Sequence, residues 1–228
     1  MSQPVAALTG RRAAAAVIAT LVVVTLQLAG RPLGAQMPGV PVLQNAFTNP
    51  GITLAVNAGT STDAKAFAGA AAWAPGSGRF QLSAGAGAFD PKSGKSGIAY
   101  GVRAAFPLGF LPHSDSYGIL LFAGFGGASP DTLTLTQVPV GLGIGYRRSL
   151  GATRGISIYA TPSYVFSRLS GGAASSRTSL LRASVGLDVT IVSSLGLTLG
   201  YELGAEAKAN EAGPSASIFG VGLSYALR

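Results

Sequence analysis

Cysteine is absent from this sequence, histidine occurs once, and charge is scarce. Without cysteine there can be no disulfide scaffold, no cysteine-ligated metal site and no lipoprotein anchor. A single histidine removes the histidine-cluster metal centres as well, so no metal and no cofactor is expected. Only 11% of the 228 residues are Asp, Glu, Lys or Arg, against roughly 25% in ordinary soluble domains. Acids are half as common as bases, 8 against 16, a formal +8. That excess forms no basic run and no aromatic–basic patch, so no nucleic-acid partner is expected. A disordered chain would be polar, whereas 48% of this one is hydrophobic. After Gly30 no stretch of 18 uninterrupted apolar residues occurs, so no later segment reads as a transmembrane helix.

The beginning of the chain has the pattern of an export leader. Arg11 and Arg12 precede the uncharged run from Ala13 to Gly30, and Arg31-Pro-Leu-Gly-Ala-Gln36 follows with small residues at its end. This predicts a signal peptide over residues 1–35, cleaved after about Ala35. The alanines after Arg11-Arg12 speak against twin-arginine export. Cleavage removes three arginines, leaving thirteen bases against eight acids, a net +5.

From Gly51 onward the dominant signal is a period of two. Leu195, Leu197, Leu199, Tyr201 and Leu203 alternate with Gly196, Thr198, Gly200 and Glu202. Ala183 to Ile191 and Phe219 to Leu227 repeat the pattern. Such alternation gives a strand two chemically different faces, whereas on a helix the same leucines would scatter around the cylinder. Turn signals divide the chain into ten segments: 51–59, 65–73, 79–89, 97–108, 117–126, 137–147, 156–168, 179–191, 195–205 and 217–227. Most hold nine to thirteen residues, the length of a tilted membrane-crossing strand.

The composition of the faces selects the architecture. A soluble barrel or sandwich would carry Lys, Glu and Gln on its outer face. Here the face opposite the apolar one is Gly, Ser, Ala and Thr with a rare charge. In a membrane barrel the roles invert, with apolar side chains in lipid and small or polar ones inside. Closure is then obligatory, because an open edge in hydrocarbon leaves backbone groups unsatisfied. The expectation is all-β: a closed antiparallel up-and-down transmembrane β-barrel of about 10 strands, with 8 as the alternative. Residues 36–50, with Pro38, Pro41 and Pro50, form an N-terminal periplasmic lead-in able to enter the lumen as a plug. The barrel occupies 51–228.

Aromatic residues sort to strand ends, as membrane interfaces favour. Trp73, Phe80, Phe106, Tyr117, Tyr146 and Tyr225 fall near the periplasmic ends. Phe67, Phe125, Tyr164, Phe166 and Phe219 fall near the outer ends, while Tyr100 and Tyr201 read as mid-strand. With the leader, the alternating strands, Gln137-Val-Pro-Val-Gly-Leu-Gly-Ile-Gly-Tyr146 and the final Ile218-Phe-Gly-Val-Gly-Leu-Ser-Tyr-Ala-Leu-Arg228, the chain resembles the small bacterial outer-membrane β-barrel proteins of the OmpA/OmpX/OmpW-like or porin-like kind. The family's usual terminal aromatic is replaced by Leu227-Arg228. The resemblance implies placement in the cell outer membrane, among its lipids. It also implies barrel-insertion machinery and periplasmic chaperones as partners in biogenesis.

No catalytic constellation is expected. Gly141, Gly143 and Gly145 mark alternate residues of a strand, not a nucleotide loop. Gly94-Lys95-Ser96 lacks the earlier glycine of a phosphate loop, position 89 being Phe. Pro112-His113-Ser114-Asp115-Ser116 reads as a solvated turn, since neighbours in a short turn do not build nucleophile–base geometry. Five charges fall on the inner face: Arg103, Arg147, Arg182, Asp188 and Glu202. If Thr190 faces Gly196, Ser184 faces Glu202 and Arg182 is its diagonal neighbour. They either brace the wall or form a charged constriction. Eleven inward glycines suggest a partly empty interior, to which Leu120, Phe122, Leu133 and Leu135 add an apolar stretch if the fifth strand keeps its parity. Gly69, Ala71, Ala84, Ala86 and Ala88 put small residues where lipid is expected, suggesting a close-packed seam between copies of a homo-oligomer. The leading expectation for function is a narrow porin-like passage for small solutes. The alternative is a closed structural or surface-interaction barrel without transport, and the third a lipid- or peptide-modifying hydrolase. Short outer loops at Leu169–Arg177 and Glu206–Ser215 argue against adhesion.

Overall fold

The computed structural model of the protein describes residues 46–61, 64–92, 94–108, 117–130, 133–151, 153–171, 174–204 and 217–227. They form ten strands: β1 Gly51–Thr60, β2 Ala64–Ala74, β3 Gln81–Pro91, β4 Gly97–Pro107, β5 Tyr117–Pro130, β6 Leu133–Ser149, β7 Gly155–Gly171, β8 Ala174–Val192, β9 Leu195–Gly204 and β10 Ile218–Leu227. Each pairs antiparallel with its sequence neighbours, and β1 pairs with β10 from Ile52–Leu227 to Thr60–Phe219. The sheet therefore closes, and among the described residues no strand edge is left unpaired. The eight-strand alternative is set aside, because β2 is paired along its length with both β1 and β3.

The two-residue period produces the barrel directly. Ile52, Leu54 and Val56 point outward from β1, as do Phe219, Val221, Leu223, Tyr225 and Leu227 from β10. Strand β5 keeps the same parity: Tyr117, Leu121 and Phe125 are exposed outside, while Leu120 and Phe122 are buried inside. Antiparallel pairing of an even number of strands places β1's start and β10's end at one rim, called here the near end. The turns after β2, β4, β6 and β8 lie at that end too.

Strands β5 to β8 outrun the apolar pattern, with 14, 17, 17 and 19 residues. The expected outer loop Leu169–Arg177 is thereby corrected. Strand β7 continues to Gly171 and β8 starts at Ala174, with Ser170 facing Ser175 and Leu169 facing Ser176. Beyond the apolar band both faces can be polar, so hydrogen bonding continues where alternation stops. The ladders are interrupted around Pro139 on β6 and Pro162 on β7, each lacking an N–H to donate. The leader at residues 1–35, the lead-in as far as 45, the turn from Pro112 to Ser116 and the segment Glu206–Ser215 lie outside the described residues.

Candidate functional site

The interior is built from the inner faces of the strands, and the glycines determine how tightly it fills. Glycine removes a side chain from its own strand, but here the neighbouring strands send bulky groups into that space. A Cβ at Gly186 would overlap the ring of Tyr159, which enters from β7 and is 6% exposed. One at Gly143 would lie 2.9 Å from Leu120 Cδ1, one at Gly141 2.8 Å from Phe122 Cζ, and one at Gly124 3.2 Å from Pro139 Cγ. Many of these gaps are sockets for neighbouring side chains, so the space left open in the interior is smaller than the glycines alone suggest.

Ala46 and Phe47, just before β1, are buried inside at the near end and pack against Tyr159. Their seat is a bay in β5 and β6. Gly118 faces Gly145 across the pair. A Cβ at Gly118 would come within 2.6 Å of Phe47 Cε1, and one at Gly145 within 2.7 Å of Ala46 Cβ. Thr48 Oγ1 donates to Gly78 O at 2.7 Å, fixing the segment to the β2–β3 turn, where Gly78 adopts φ 62°. The end of the lead-in therefore does enter the lumen.

All five expected charges lie on inner faces, in different surroundings. Ser184 faces Glu202 and Thr190 faces Gly196 across β8 and β9. Arg182 Nη1 donates to Glu202 Oε1 at 2.5 Å, and Ser184 Oγ donates to Glu202 Oε2 at 3.1 Å. Both charged residues are buried, Arg182 at 2% and Glu202 at 5% exposure. The Arg103 guanidinium stacks 4.3 Å from the centroid of Phe122, within an apolar cluster of Ala105, Leu120 and Phe122. Asp188 accepts from Thr198 Oγ1 at 2.6 Å and from Ser157 Oγ at 3.2 Å. Arg147 lies over the Phe47 ring at 4.8 Å.

Toward the far end apolar groups, with Ala66, Phe89, Ala99 and Ala128 in one cluster and Val165 opposite Leu180, share the interior with the buried Gln137 and Ser167. Leu135 lies on the same inner parity, and Leu133 is exposed at the end of its strand. Below the Phe47–Tyr159 layer a polar chamber of about 360 Å³ opens at the near end, bounded by Phe47, Arg147 and Asp188 among others. Sequence reasoning missed Phe47 and Tyr159. Tyr159 shares its parity with Ser157, Thr161 and Ser163, which was the available signal.

The outer wall carries the aromatic bands. At the near end Trp73 and Phe80 meet edge-on at 5.5 Å, Phe80 continues to Phe106 at 6.4 Å, and Tyr117 meets Tyr146 at 5.1 Å. Phe80 sits in the turn just before β3. Tyr225, 49% exposed, faces Leu54 near the start of β1. Toward the far end Phe67, Phe125, Tyr164, Phe166 and Phe219 are all exposed, with Tyr164 and Phe166 in contact at 5.0 Å. Tyr201 directly faces Phe219 and so joins the far band. This corrects its mid-strand reading, because β9 ends only three residues later. Tyr100, three residues from the far-end start of β4, lies over Gly127. Gly69, Ala71, Ala84, Ala86 and Ala88 all face outward, with Ala71 opposite Ala84 and Gly69 opposite Ala86. Ala71 and Ala84 floor an outer concavity of about 680 Å³ between Trp73 and Phe125; the other three lie outside it.

No protein-family model matches the chain, and no curated protein matches it in sequence. Among solved structures, the β domain of the Bordetella autotransporter BrkA superposes with a TM-score of 0.51 at 15% identity, covering 77% of this chain and 98% of that one. At that identity the likeness is one of fold. The KdgM porin gives a TM-score of 0.38 at 9% identity over 77% of this chain and 99% of its own. The N-terminal β-barrel domain of Pseudomonas aeruginosa OprF gives 0.40 at 8% over 77% and 96%.

Proposed function

We propose that this closed ten-stranded barrel resides in a bacterial outer membrane and works there as a non-catalytic, sealed barrel, a structural or surface-interaction element of the envelope. The residence rests on the outer wall. Large apolar side chains such as Phe67 and Tyr117, 61% and 60% exposed, cover it and have only lipid to meet. The seal rests on one observation: side chains on the inner faces are buried although they line what an open pore would wet. Leu120, Gln137, Thr161, Val165 and Arg182 are all at most 2% exposed. A narrow passage for solutes needs the Phe47–Tyr159 layer to move aside first.

Expression in a Gram-negative host with the full chain, followed by membrane fractionation and gel migration before and after boiling, tests the residence. The protein is expected to sediment with outer membranes, and the unboiled form to migrate differently from the boiled one. Soluble, monodisperse protein in the absence of detergent overturns the reading.

A further inference from the structure

The near-end chamber collects more positive than negative charge. Arg147 and Arg148 come from the end of β6, and Arg154 from beyond the following turn. That turn is closed by Leu150 N–H donating to Arg154 O at 2.9 Å, which brings the three arginines to one side of the chamber. Hydroxyls from three other strands, on Thr190, Thr198 and Ser224, line it as well. Among the described residues Asp188 is the only carboxylate on its lining, and two hydroxyls already donate to it. The lining therefore carries two positive charges in excess.

We propose that this chamber is a binding site for a small phosphate-bearing anion. Three features support that class. A phosphate monoester carries about −1.5 to −2 charge at pH 7, which matches the excess. Guanidinium groups present forked donors that fit phosphate oxygens, and neutral hydroxyls supply further donors. The volume of about 360 Å³ falls in the range of small-molecule sites, roughly 300–1,000 Å³. Phe47 and Tyr159 close the inner side with an apolar layer, so the anion enters from the near end and goes no further. The site is distinct from the Arg182–Glu202 pair, neither member of which lines the chamber.

Calorimetric titration of the detergent-refolded full chain with glycerol 3-phosphate, at ionic strength held constant with chloride, tests the proposal. Saturable binding at one site is expected. Arg154→Gln should weaken it by at least about tenfold, the loss of one charge-assisted contact. Asp188→Asn should tighten it, which a purely structural role would not do. Gel migration before and after boiling shows that each variant still folds. Repeating the titration in nanodiscs with and without phosphatidylglycerol separates the two sources of the group. Suppression by the anionic lipid identifies a headgroup as the occupant, and unchanged binding identifies a soluble phosphate ester. Absence of saturation, or equal affinity in wild type, Arg154→Gln and Asp188→Asn, overturns the proposal.

Discussion

Arg182 and Glu202 are tolerable inside the wall only as a pair. Each has lost its water, and the ion pair with the added Ser184 hydroxyl replaces it. Arg182→Ala leaves a buried carboxylate without its partner and should cost about 3–5 kcal/mol. Replacing both, as Arg182→Met with Glu202→Met, should cost far less or nothing. Urea titration of the folded band in lipid micelles compares the two variants. The pair was legible in the sequence because a period of two fixes which residues share a face, and a short β8–β9 turn fixes the register. Tyr159 was harder to assign: its parity was readable, but its target, the socket at Gly186, lies on the adjacent strand. A glycine reports that space is free on its own strand and is silent about who fills it.

At the scale of elements, the Ala46–Phe47 segment and the β5–β6 bay define each other. The chain contains no cysteine, so Ala46→Cys is a unique label. Ala46 is 4% exposed, and in this variant the thiol should react slowly with a water-soluble maleimide. Adding Gly145→Val fills the seat, displaces the segment and should speed labelling at least about tenfold. Equal rates would show that the bay does not hold the segment. The strands themselves were legible in number and face throughout. Their far ends on β5 to β8 were not, because interstrand hydrogen bonding needs no apolar residue once the ladder passes beyond the apolar band. Ser170, Ser175 and Ser176 continue a hairpin with no hydrophobic pattern to mark it. Likewise, Tyr201 looks central within its own segment and becomes terminal only beside Phe219.

Across the whole barrel, scarcity of charge and abundance of glycine have one origin. In the membrane residence proposed above, one face of every strand meets lipid, where charge is costly, and the other packs inside a cylinder too narrow for ten full inner faces. Glycine on one strand lets an aromatic or a leucine on another fill the space, as Tyr159 does at Gly186 and Leu120 at Gly143. Composition therefore predicted the barrel, while the filling of its interior depends on which side chains enter the glycine gaps, as Leu120 does at Gly143 on the neighbouring strand and Phe47 from before β1 does at Gly118. The same glycines support an open or a filled interior until those partners are known. Single-channel recording of the refolded protein in planar bilayers distinguishes the two most directly. The packed interior predicts a silent membrane, with no resolved current steps despite verified insertion. Stable, stepwise conductance from the wild-type protein would contradict it.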